Sequence, residues 1–348
     1  MRAVALGGGH GLHVTLTALR TLTSDVTAVV TVADDGGSSG RLRRELGLLP
    51  PGDLRKALIA LAGPESGPWP AVFGRRFGGS GALAGHAVGN LVLAGLLEEL
   101  DDPVAALDTA ARLLGVRGRV LPMSLRPLDI EADVIGLDAD PDAVRRIRGQ
   151  VAIATTPGRV QRIRLHPAGH PGESPSACPD AVAAVLGADV VLLGPGSWFT
   201  SVLPHLLVPE LHEALVTTSA RKVLVLNLVP QPGETAGFSP ERHLDVLCEH
   251  APWLRIDAVI ADVDSVPTPD RLVRAADAVG ARAHLLRVGV AGEPEQHDPA
   301  ALAEGLRRAI EAAGVVGVQD GAAVAPGERG DGRGRGADGE ECGVGDDL

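Results

Sequence analysis

An apolar strand that breaks into glycines and resumes as a helix is the feature that most constrains this fold. The run Val4-Ala5-Leu6 leads into glycines at positions 7, 8, 9 and 11. Glycine permits positive φ angles and lets a ligand approach the backbone without meeting a Cβ atom. The N–H groups that open the following helix carry partial positive charge and suit an anion. The pattern predicts a phosphate-binding turn made of Gly8, Gly9, His10, Gly11 and Leu12.

The spacing of these glycines differs from two common nucleotide motifs. Counting from Gly7, the sixth position is Leu12, where the dinucleotide-binding fingerprint has glycine. No Lys-Ser or Lys-Thr pair follows, so the Walker pattern is absent as well. Leu16 and Leu19 follow Leu12 at helical spacing and predict a buried helix face. A tight turn without a ligand is the alternative interpretation.

The second apolar run, Val26 to Val32, ends in an acidic loop that contains Asp34, Asp35 and Gly36. In a doubly wound sheet the ends of adjacent strands share one crevice. We therefore expect this loop and the glycine turn to face the same ligand. Carboxylates there suit a sugar or ribose hydroxyl, or a magnesium ion bound to a diphosphate.

The composition excludes several classes of protein. The 348 residues are 45% hydrophobic, enough for a globular core, and the formal net charge is −12. A chain without a broad basic surface is not expected to bind nucleic acid. Three widely spaced cysteines, none in a CxxC motif, indicate a reducing compartment, so we expect a cytoplasmic protein. No apolar run approaches about 18 residues, so we expect no membrane insertion.

Strand-like runs alternate with helical patterns along the chain. Several runs are apolar on both faces, as buried parallel strands are. The sequence therefore predicts an α/β fold, a mostly parallel sheet with helices on both faces. The predicted strands are Arg2 to Leu6, Val26 to Val32, Asp189 to Leu193, Lys222 to Leu228, Ile256 to Val263 and His284 to Val290. Capping residues before prolines predict helix starts at Asp102-Pro103, Asp140-Pro141, Ser239-Pro240 and Thr268-Pro269.

Two segments depart from this alternation. Between about residues 128 and 166, two or three strand-like stretches predict a small β insertion against the main sheet. Its last part, Gln150 to Leu165, is predicted to form a β-hairpin around Pro157-Gly158. From Gln319 to Leu348, eight acidic residues against three arginines give a net charge of −5 in a glycine-rich segment. We expect this segment to be a disordered tail.

Polar residues near three helix starts each admit more than one role. Asp53 can cap the helix that begins after Pro50, or it can face the ligand. His86 and Asn90 lie four residues apart on one helical face, so they need either a ligand or the neighbouring backbone as partners. Arg41 is the arginine nearest to the acidic loop and is predicted to reach a phosphate, although such arginines usually lie on a solvated helix face.

A second strand and glycine turn, with Gly194, Gly196 and Ser197, repeats the first pattern. Two helix starts in one sheet suit a diphosphate, and a tight turn with a serine cap is the alternative. The next strand leads to Asn227 and Gln231, whose amides can read base or sugar edges. No GxSxG, HExxH or CxxC motif occurs. The sequence therefore indicates a nucleotide-diphosphate site more strongly than any catalytic step.

Seven motifs follow one another in a recognisable order over residues 1–315. They are Gly7 to Leu12, Thr31 to Leu42, Pro50 to Asp53, Gly85-His86 with Gly89-Asn90, Arg117 to Pro122, Gly194 to Ser197 and Gln231 to Thr235. This series closely resembles the gluconeogenesis factor (YvcK) family, which belongs to the superfamily of 2-phospho-L-lactate transferase (CofD). Two positions depart from the family pattern: His10 stands where threonine is usual, and Phe238 stands where tyrosine is common.

The resemblance implies a Rossmann-like fold and a cytoplasmic bacterial protein that binds UDP-sugars, notably UDP-N-acetylglucosamine, without a cofactor. Members are linked to growth on gluconeogenic carbon sources, cell shape and peptidoglycan synthesis, which implies a cell-wall synthesis partner and leaves room for a homo-oligomer. On this interpretation the diphosphate lies on the two glycine turns. The residues expected to contact sugar and base are Asp34, Asp35, Asn90, Asn227 and Gln231.

The transferase branch of the superfamily implies an enzyme instead. Its members move a phospholactyl or enolpyruvyl-phosphoryl group from a guanosine diphosphate conjugate to a deazaflavin precursor, with Mg²⁺. Asp34 and Asp35 match its acidic loop, and they are the predicted metal ligands under this alternative only. The loop sequence follows the gluconeogenesis-factor version, which favours the binding protein. A third hypothesis, an NAD-dependent oxidoreductase, is disfavoured by the glycine spacing.

Overall fold

A computed structural model describes residues 1–314, in which strands and helices alternate. The strands are β1 (Arg2–Gly7), β2 (Asp25–Val30), β3 (Arg119–Pro122), β4 (Leu128–Ile135), β5 (Arg145–Arg148), β6 (Arg159–Pro167), β7 (Val190–Leu193), β8 (Arg221–Val225), β9 (Ala258–Asp262), β10 (Arg282–Leu286), β11 (Gly289–Val290) and β12 (Glu293–His297). The α-helices are α1 (Gly9–Leu19), α2 (Gly37–Leu46), α3 (Pro51–Leu61), α4 (Trp69–Gly74), α5 (Val88–Leu100), α6 (Pro103–Leu113), α7 (Gln150–Ala154), α8 (Pro179–Leu186), α9 (Pro209–Thr217), α10 (Pro240–His250), α11 (Pro269–Ala278) and α12 (Pro299–Ala312). A π-turn spans Trp198–Val202, and 3₁₀ segments span Pro64–Ser66, Leu203–Leu207 and Val263–Ser265.

Seven parallel strands form the central sheet in the order β10-β9-β8-β7-β1-β2-β3. The chain builds outward from β1 to β3 on one side. It then returns to β7 beside β1 and builds outward to β10 on the other side. Such a reversal leaves a crevice at the carboxyl ends of the two central strands. The fold therefore brings both glycine turns, which follow β1 and β7, to the usual location of a ligand site.

The predicted α/β fold with a mostly parallel sheet is confirmed. Each of the six predicted runs overlaps a strand of this sheet, and the largest displacement is at β10, which begins two residues before the predicted His284. The seventh strand, β3, was outside the prediction because it has only four residues and lies at the edge of the sheet. Leu12, Leu16 and Leu19 are at most 2% exposed, which confirms the buried face of α1. Burying each of these leucines contributes about 2 kcal/mol to folding.

Three of the four predicted helix starts are confirmed, at α6, α10 and α11. Asp102 caps α6, where its Oδ1 atom accepts the N–H of Val104 at 2.9 Å. The prediction at Asp140-Pro141 is wrong. Asp140 accepts the N–H of Asp142 at 3.0 Å within a turn, and the residues that follow pair with β4 as β5.

A three-stranded antiparallel sheet, in the order β5-β4-β6, occupies the predicted insertion. The predicted hairpin around Pro157-Gly158 is wrong in its first strand, because Gln150–Ala154 is helix α7. Gly149 has a φ angle of 99°, and the Asp35 carboxylate accepts the N–H of Val151 at 3.0 Å. A carboxylate at a helix start stabilises the helix. A contact that is distant in the sequence therefore decides the local structure here.

The antiparallel pair β11–β12, called the C-terminal hairpin below, follows β10 and leads into α12. Within residues 1–314, no helix combines the length and the apolar character that crossing a membrane requires. The predicted disordered tail, Gln319 to Leu348, lies outside the described residues.

Candidate functional site

Three cavities meet around His10 and Gly11 at the carboxyl edge of the central sheet. We call them the acidic pocket, of about 280 Å³, the proline pocket, of about 330 Å³, and the hairpin pocket, of about 570 Å³. The hairpin pocket lies between Val14 of α1 and strand β12. The acidic pocket is lined by Gly8, Gly9, His10, Gly11, Asp34, Asp53, Lys56, Gln150, Gly196, Ser197, Ser201 and Gln231.

The first glycine turn joins β1 to α1 and faces this cleft. Gly8 is the N-cap residue, and no side chain caps the helix there. A Cβ atom at Gly8 would lie 2.5 Å from Thr31 Cγ2 and 2.7 Å from Asp53 Oδ2, so only glycine fits. Leu12 donates its N–H to Gly8 at 3.2 Å and places its side chain in the core rather than in the cleft. The first-turn donors that lack a helical partner are those of Gly9, His10 and Gly11.

His10 lies where the three pockets meet. Burial lowers the pKa of its imidazole, and the positive charge of Lys56 lowers it further. The ring is therefore neutral at neutral pH, with one nitrogen as a donor and the other as an acceptor. His10 offers hydrogen bonds to a ligand without adding a full positive charge.

Two carboxylates and one ammonium group line the acidic pocket. Asp34 accepts the N–H of Gly36 at 2.9 Å, and Asp53 is paired with Lys56 at 3.1 Å between Oδ1 and Nζ. Burial raises the pKa of Asp34, and the nearby charge of Asp53 raises it further. Asp53 is 5% exposed and lies in the first turn of α3. Its carboxylate is therefore placed to stabilise the start of that helix, and it also lines the acidic pocket. The pocket can accept hydrogen bonds from hydroxyl groups.

Asp35 and Gly36 do not line the described pockets. The Asp35 carboxylate accepts the N–H of Val151, and Gly36 donates to Asp34 and serves as the N-cap of α2. The predicted metal pair of Asp34 and Asp35 stays a prediction of the transferase alternative, and of the two carboxylates only Asp34 lines the acidic pocket, because Asp35 Oδ1 is engaged at the start of α7. In the part of the chain that the structure describes, no three acidic, histidine or cysteine side chains converge as metal ligands.

The second glycine turn is held by Asn227. The Asn227 Oδ1 atom accepts the N–H of Gly196 at 2.9 Å, and its Nδ2 atom donates to Gly196 O at 2.8 Å and to Gln231 Oε1 at 3.3 Å. Gly194 has a φ angle of 74°, and a Cβ atom there would lie 2.7 Å from the carbonyl oxygen of Val225. The turn therefore requires glycine at this position. Asn227 and Gln231 thus form one hydrogen-bonded unit that faces the cleft.

The helical segment after Ser197 is a π-turn of five residues rather than an open helix start. Glu234 Oε2 accepts the N–H of Phe199 at 2.8 Å, and Glu234 Oε1 accepts the hydroxyl of Thr200 at 2.5 Å. Glu234 is 3% exposed, and burial raises its pKa. Glu234 therefore binds the donors of Phe199 and Thr200, whereas Gly196 and Ser197 of this turn line the acidic and proline pockets, so an anion site at the second turn stays a prediction.

The proline pocket is lined by both apolar and polar residues. Its polar members include Asn227, Gln231 and Glu234, together with Glu295 and His297 of the C-terminal hairpin. Its apolar walls are formed by Ala154, Pro195, Leu228, Val229, Pro230 and Pro232. Apolar side chains together with a few amide groups are suited to a heterocyclic base.

Arg41 and Asn90 lie outside the three pockets. Arg41 donates to the carbonyl oxygen of Ala84 at 2.6 Å. Asn90 is 1% exposed, donates to Ser38 Oγ at 2.9 Å and accepts from Arg55 at 3.0 Å. Asn90 therefore joins α2, α3 and α5, and its partners are side chains rather than the ligand or backbone expected from the sequence. His86 belongs to the same network through Ser38, at 2.9 Å.

Several cleft residues were not predicted from the sequence. Lys56 lies three residues after Asp53 on α3, and this helical spacing was a usable signal. Gln150 enters the pocket only because α7 is a helix, and no local pattern shows that. The remaining residues are Ser201 of the π-turn and Glu295 and His297 of the C-terminal hairpin, which no motif marks.

Comparisons with known proteins agree on one family. The family model for 2-phospho-L-lactate transferase CofD matches residues 3–296. A relative in Mycobacterium tuberculosis, provisionally named a gluconeogenesis factor, is 60% identical over 305 residues, which are 86% of this chain and 87% of the relative. The gluconeogenesis factor of Listeria innocua is 37% identical over 269 residues, 76% of this chain and 79% of the relative. A crystal structure of a UPF0052 family member from Bacillus halodurans is similar with a TM-score of 0.77 and 32% identity, covering 88% of this chain and 98% of that chain.

Proposed function

The chain belongs to the CofD family, among the gluconeogenesis factors, and from this premise we propose that it is a regulatory protein that binds UDP-N-acetylglucosamine. The proposal takes the protein to act in the cytoplasm, on cell shape, peptidoglycan synthesis and growth on gluconeogenic carbon sources. The bound nucleotide favours one conformation of the protein, which a partner in cell-wall synthesis recognises.

The observation that carries the proposal is the uncapped start of α1 between two pockets of different chemistry. Helices α6 and α12 have an aspartate N-cap, and five others have an acidic residue in the first turn: Asp53, Asp180, Glu210, Glu241 and Asp270. Helix α1 has neither, and His10 stands in its first turn. An uncompensated helix start favours an anion such as a diphosphate.

The two pockets that flank α1 support a nucleotide sugar rather than a free phosphate. The apolar walls and the amides of Asn227 and Gln231 in the proline pocket suit a uracil base. The carboxylates of Asp34 and Asp53 in the acidic pocket suit sugar hydroxyls, which donate hydrogen bonds. A diphosphate at His10 and Gly11 links these two positions.

Calorimetric titration and thermal shift with UDP-N-acetylglucosamine, UDP-glucose, GDP with and without Mg²⁺, and NAD test the proposal. Ligand at about 100 times its dissociation constant adds roughly 2.7 kcal/mol of stability. We expect stabilisation by the UDP-sugars alone. Stabilisation by NAD alone, or by none of these compounds, would contradict the proposal.

A charge variant tests the position of the diphosphate. His10→Glu places a carboxylate at a helix start, which the fold tolerates, but beside the proposed anion. We expect UDP-sugar affinity to fall roughly thirtyfold, which corresponds to about 2 kcal/mol of charge repulsion. Leu113→Glu adds the same charge at a 44% exposed position on α6 and is expected to leave affinity unchanged. Equal affinities of the two variants would place the diphosphate elsewhere.

A transferase is the second candidate, and the presence of both Asp34 and Asp53 in the acidic pocket favours it. Both carboxylates line the acidic pocket next to the proposed diphosphate position, so they fit a magnesium ion held by one or two carboxylates and phosphate oxygens. Such an ion would neutralise the diphosphate of the donor and the charge that develops on GMP as the acceptor hydroxyl displaces it. Lys56 already pairs with Asp53 at 3.1 Å, and it provides a positive charge at the same place. Asp34 and Asp53 would therefore orient the donor while Lys56 balances its charge.

The transferase candidate is tested with a guanosine diphosphate conjugate, a deazaflavin acceptor and Mg²⁺. Release of GMP, lost in Asp34→Asn, would establish the enzyme. No GMP at high protein concentration, in a preparation that binds UDP-sugars, would leave the binding protein as the function.

A further inference from the structure

We propose that Gln150 determines the sugar specificity of the cleft, because its side-chain amide pairs with an acetamido group on the sugar of the bound nucleotide. The inference rests on the proposed function and names the residue that distinguishes an N-acetylated sugar from a plain one. Gln150 belongs to neither glycine turn nor to the acidic loop, and it opens helix α7.

The geometry of Gln150 points to a ligand group as its partner. Gln150 lines the acidic pocket together with Asp34, Asp53 and Lys56. Its Oε1 atom is shielded from solvent and has no hydrogen-bond partner among residues 1–314. Most shielded side-chain polar atoms in proteins have a partner. Gln150 therefore combines a place on the wall of the acidic pocket with an amide oxygen whose hydrogen-bonding capacity is unused, and rotation of the side-chain amide brings that oxygen to a ligand in the pocket.

The chemistry of the pocket makes Gln150 the discriminating group. Ionised carboxylates such as Asp34 and Asp53 accept hydrogen bonds only, so they suit the hydroxyl groups that all sugars share. The lysine ammonium only donates. A glutamine amide has one acceptor and two donor hydrogens in one plane, and a second amide matches both kinds. An acetamido group satisfies both ends of this pair, whereas a hydroxyl at the same sugar carbon satisfies one.

Asp35 holds Gln150 in this position. The Asp35 Oδ1 atom accepts the N–H of Val151 at 3.0 Å, which is the residue next to Gln150. A Cβ atom at Gly149 would lie 2.3 Å from Asp35 Oδ2, so the chain closes tightly around this carboxylate on both sides of Gln150. Asp35 is therefore a positioning residue that acts through Gln150 and does not touch the sugar. Adjacent acidic residues have separate tasks here, since Asp34 faces the pocket.

Calorimetric titration with UDP, UDP-glucose and UDP-N-acetylglucosamine tests the inference on the full chain. In Gln150→Ala we expect affinity for UDP-N-acetylglucosamine to fall about tenfold, as the loss of a hydrogen-bonded pair predicts. Affinity for UDP and UDP-glucose is expected to change less than about twofold. The matched control is Gln161→Ala, an exposed glutamine on β6, which is expected to alter none of the three affinities.

A double-mutant cycle tests the positioning role of Asp35. Asp35→Asn is expected to lower the preference for UDP-N-acetylglucosamine over UDP-glucose by about fivefold. In the Gln150→Ala background it is expected to have no further effect on that preference, because the residue through which it acts is gone. A merely structural role would lower all three affinities together and would persist in the double variant.

The outcomes separate this inference from the function on which it rests. An equal loss for all three ligands in Gln150→Ala would mean contact with the base or the diphosphate, and would overturn the inference. An unchanged preference for UDP-N-acetylglucosamine over UDP-glucose in Gln150→Ala would also overturn the inference. If the unmodified protein still binds both UDP-sugars, the proposed function stands. If the unmodified protein binds no UDP compound, both the function and the inference fail.

Discussion

Two glycine turns lie side by side at the carboxyl edge of the sheet, after β1 and after β7, and their sequences are alike. The first leads into α1, a helix of 11 residues whose opening N–H groups face the cleft. The second leads into a π-turn of five residues whose opening donors are bound by Glu234. Similar sequences therefore give one turn whose opening donors face the cleft and one in which Glu234 has taken the donors of Phe199 and Thr200 behind the turn.

The difference lies in what each turn faces. Phe199 and Thr200 are 0% and 1% exposed, so their polar groups would be orphaned in the core without a partner. An orphaned buried donor costs about 1–3 kcal/mol, and Glu234 removes that cost. The donors of Gly9 and His10 border the acidic pocket, where solvent or a ligand can reach them. Donors that border a cavity are left for solvent or a ligand, whereas the buried donors of Phe199 and Thr200 are matched by a carboxyl group of the chain itself.

The largest expected effect comes from the contact between the two turns. A Cβ atom at Gly11 would lie 2.1 Å from the carbonyl oxygen of Pro195 and 2.8 Å from Gly196 Cα, which are both backbone atoms. Gly11→Ala should therefore force the turns apart and lower the free energy of unfolding by about 3 kcal/mol. Urea unfolding measures this change.

Gly9→Ala is the matched control for this variant. Gly9 has a φ angle of 63°, but among residues 1–314 no atom outside its chain neighbours and the backbone of its own helix lies within 4 Å of its Cβ position. Alanine there should cost only the strain of a left-handed residue, about 1 kcal/mol. Equal losses in the two variants would show that the turns do not depend on each other.

Removing the carboxylate of Glu234 should have the next largest effect. Glu234→Ala leaves the N–H of Phe199 and the hydroxyl of Thr200 without their partner in the core. We expect the free energy of unfolding to fall by about 2 kcal/mol. The control is Glu210→Ala, because Glu210 also accepts a backbone N–H, from Ala177 at 3.1 Å, but at an exposed position. A loss no larger than that of the control would mean that the second turn is closed by something else.

The sequence predicted the sheet and the first turn because both depend on local pattern. Apolar runs identify buried strands, and the glycines before Leu12, Leu16 and Leu19 identify a turn with a buried helix after it. The order of strands then places Asp34 and Ser197 in one crevice with the first turn. The α/β fold and the position of the cleft therefore follow from the sequence.

The parts of the site that could not be predicted depend on contacts between distant residues. Glu234 reaches Phe199, and Asp35 reaches Val151, across loops whose path no local pattern specifies. The first contact closes the second turn, and the second contact turns a predicted strand into α7. A carboxylate in a motif can bind a ligand, cap a helix or line a pocket. Only its neighbours in the fold decide which role it has.

The link between the second turn and the base position gives a smaller effect. Asn227 uses its Oδ1 atom for the N–H of Gly196 and its Nδ2 atom for Gly196 O and Gln231. Asn227→Asp keeps the shape and the first bond, loses the donor and adds a negative charge near the diphosphate position. We expect UDP affinity to fall about tenfold, or about 1.4 kcal/mol, measured by calorimetry.

The control for Asn227→Asp is the same substitution in the buried network outside the cleft. Asn90→Asp should lower stability, because Asn90 donates to Ser38 within the core, and it should leave the affinity of the folded protein for UDP unchanged. If Asn90→Asp weakened UDP binding as strongly as Asn227→Asp, the loss would come from added charge anywhere in this half of the fold. The second turn would then have no special part in holding the nucleotide.

The smallest effect is a pH dependence of the free energy of unfolding, which comes from the buried carboxyl group of Glu234 behind the second turn. Burial raises the pKa of Glu234 above its ordinary value of 4.5. The folded protein then keeps this proton at pH values where the unfolded chain has released it. The free energy of unfolding therefore falls as pH rises from 4.5 through the raised pKa.

Glu234→Gln cannot titrate, so the stability of this variant relative to the unmodified protein should rise across that pH window. Urea unfolding at a series of pH values measures the difference. Asp34, whose pKa burial also raises, is present in both proteins and cancels. A difference that stays constant with pH would mean that the pKa of Glu234 is the same in the folded and unfolded protein, so that its hydrogen bonds fully offset the cost of burying its charge.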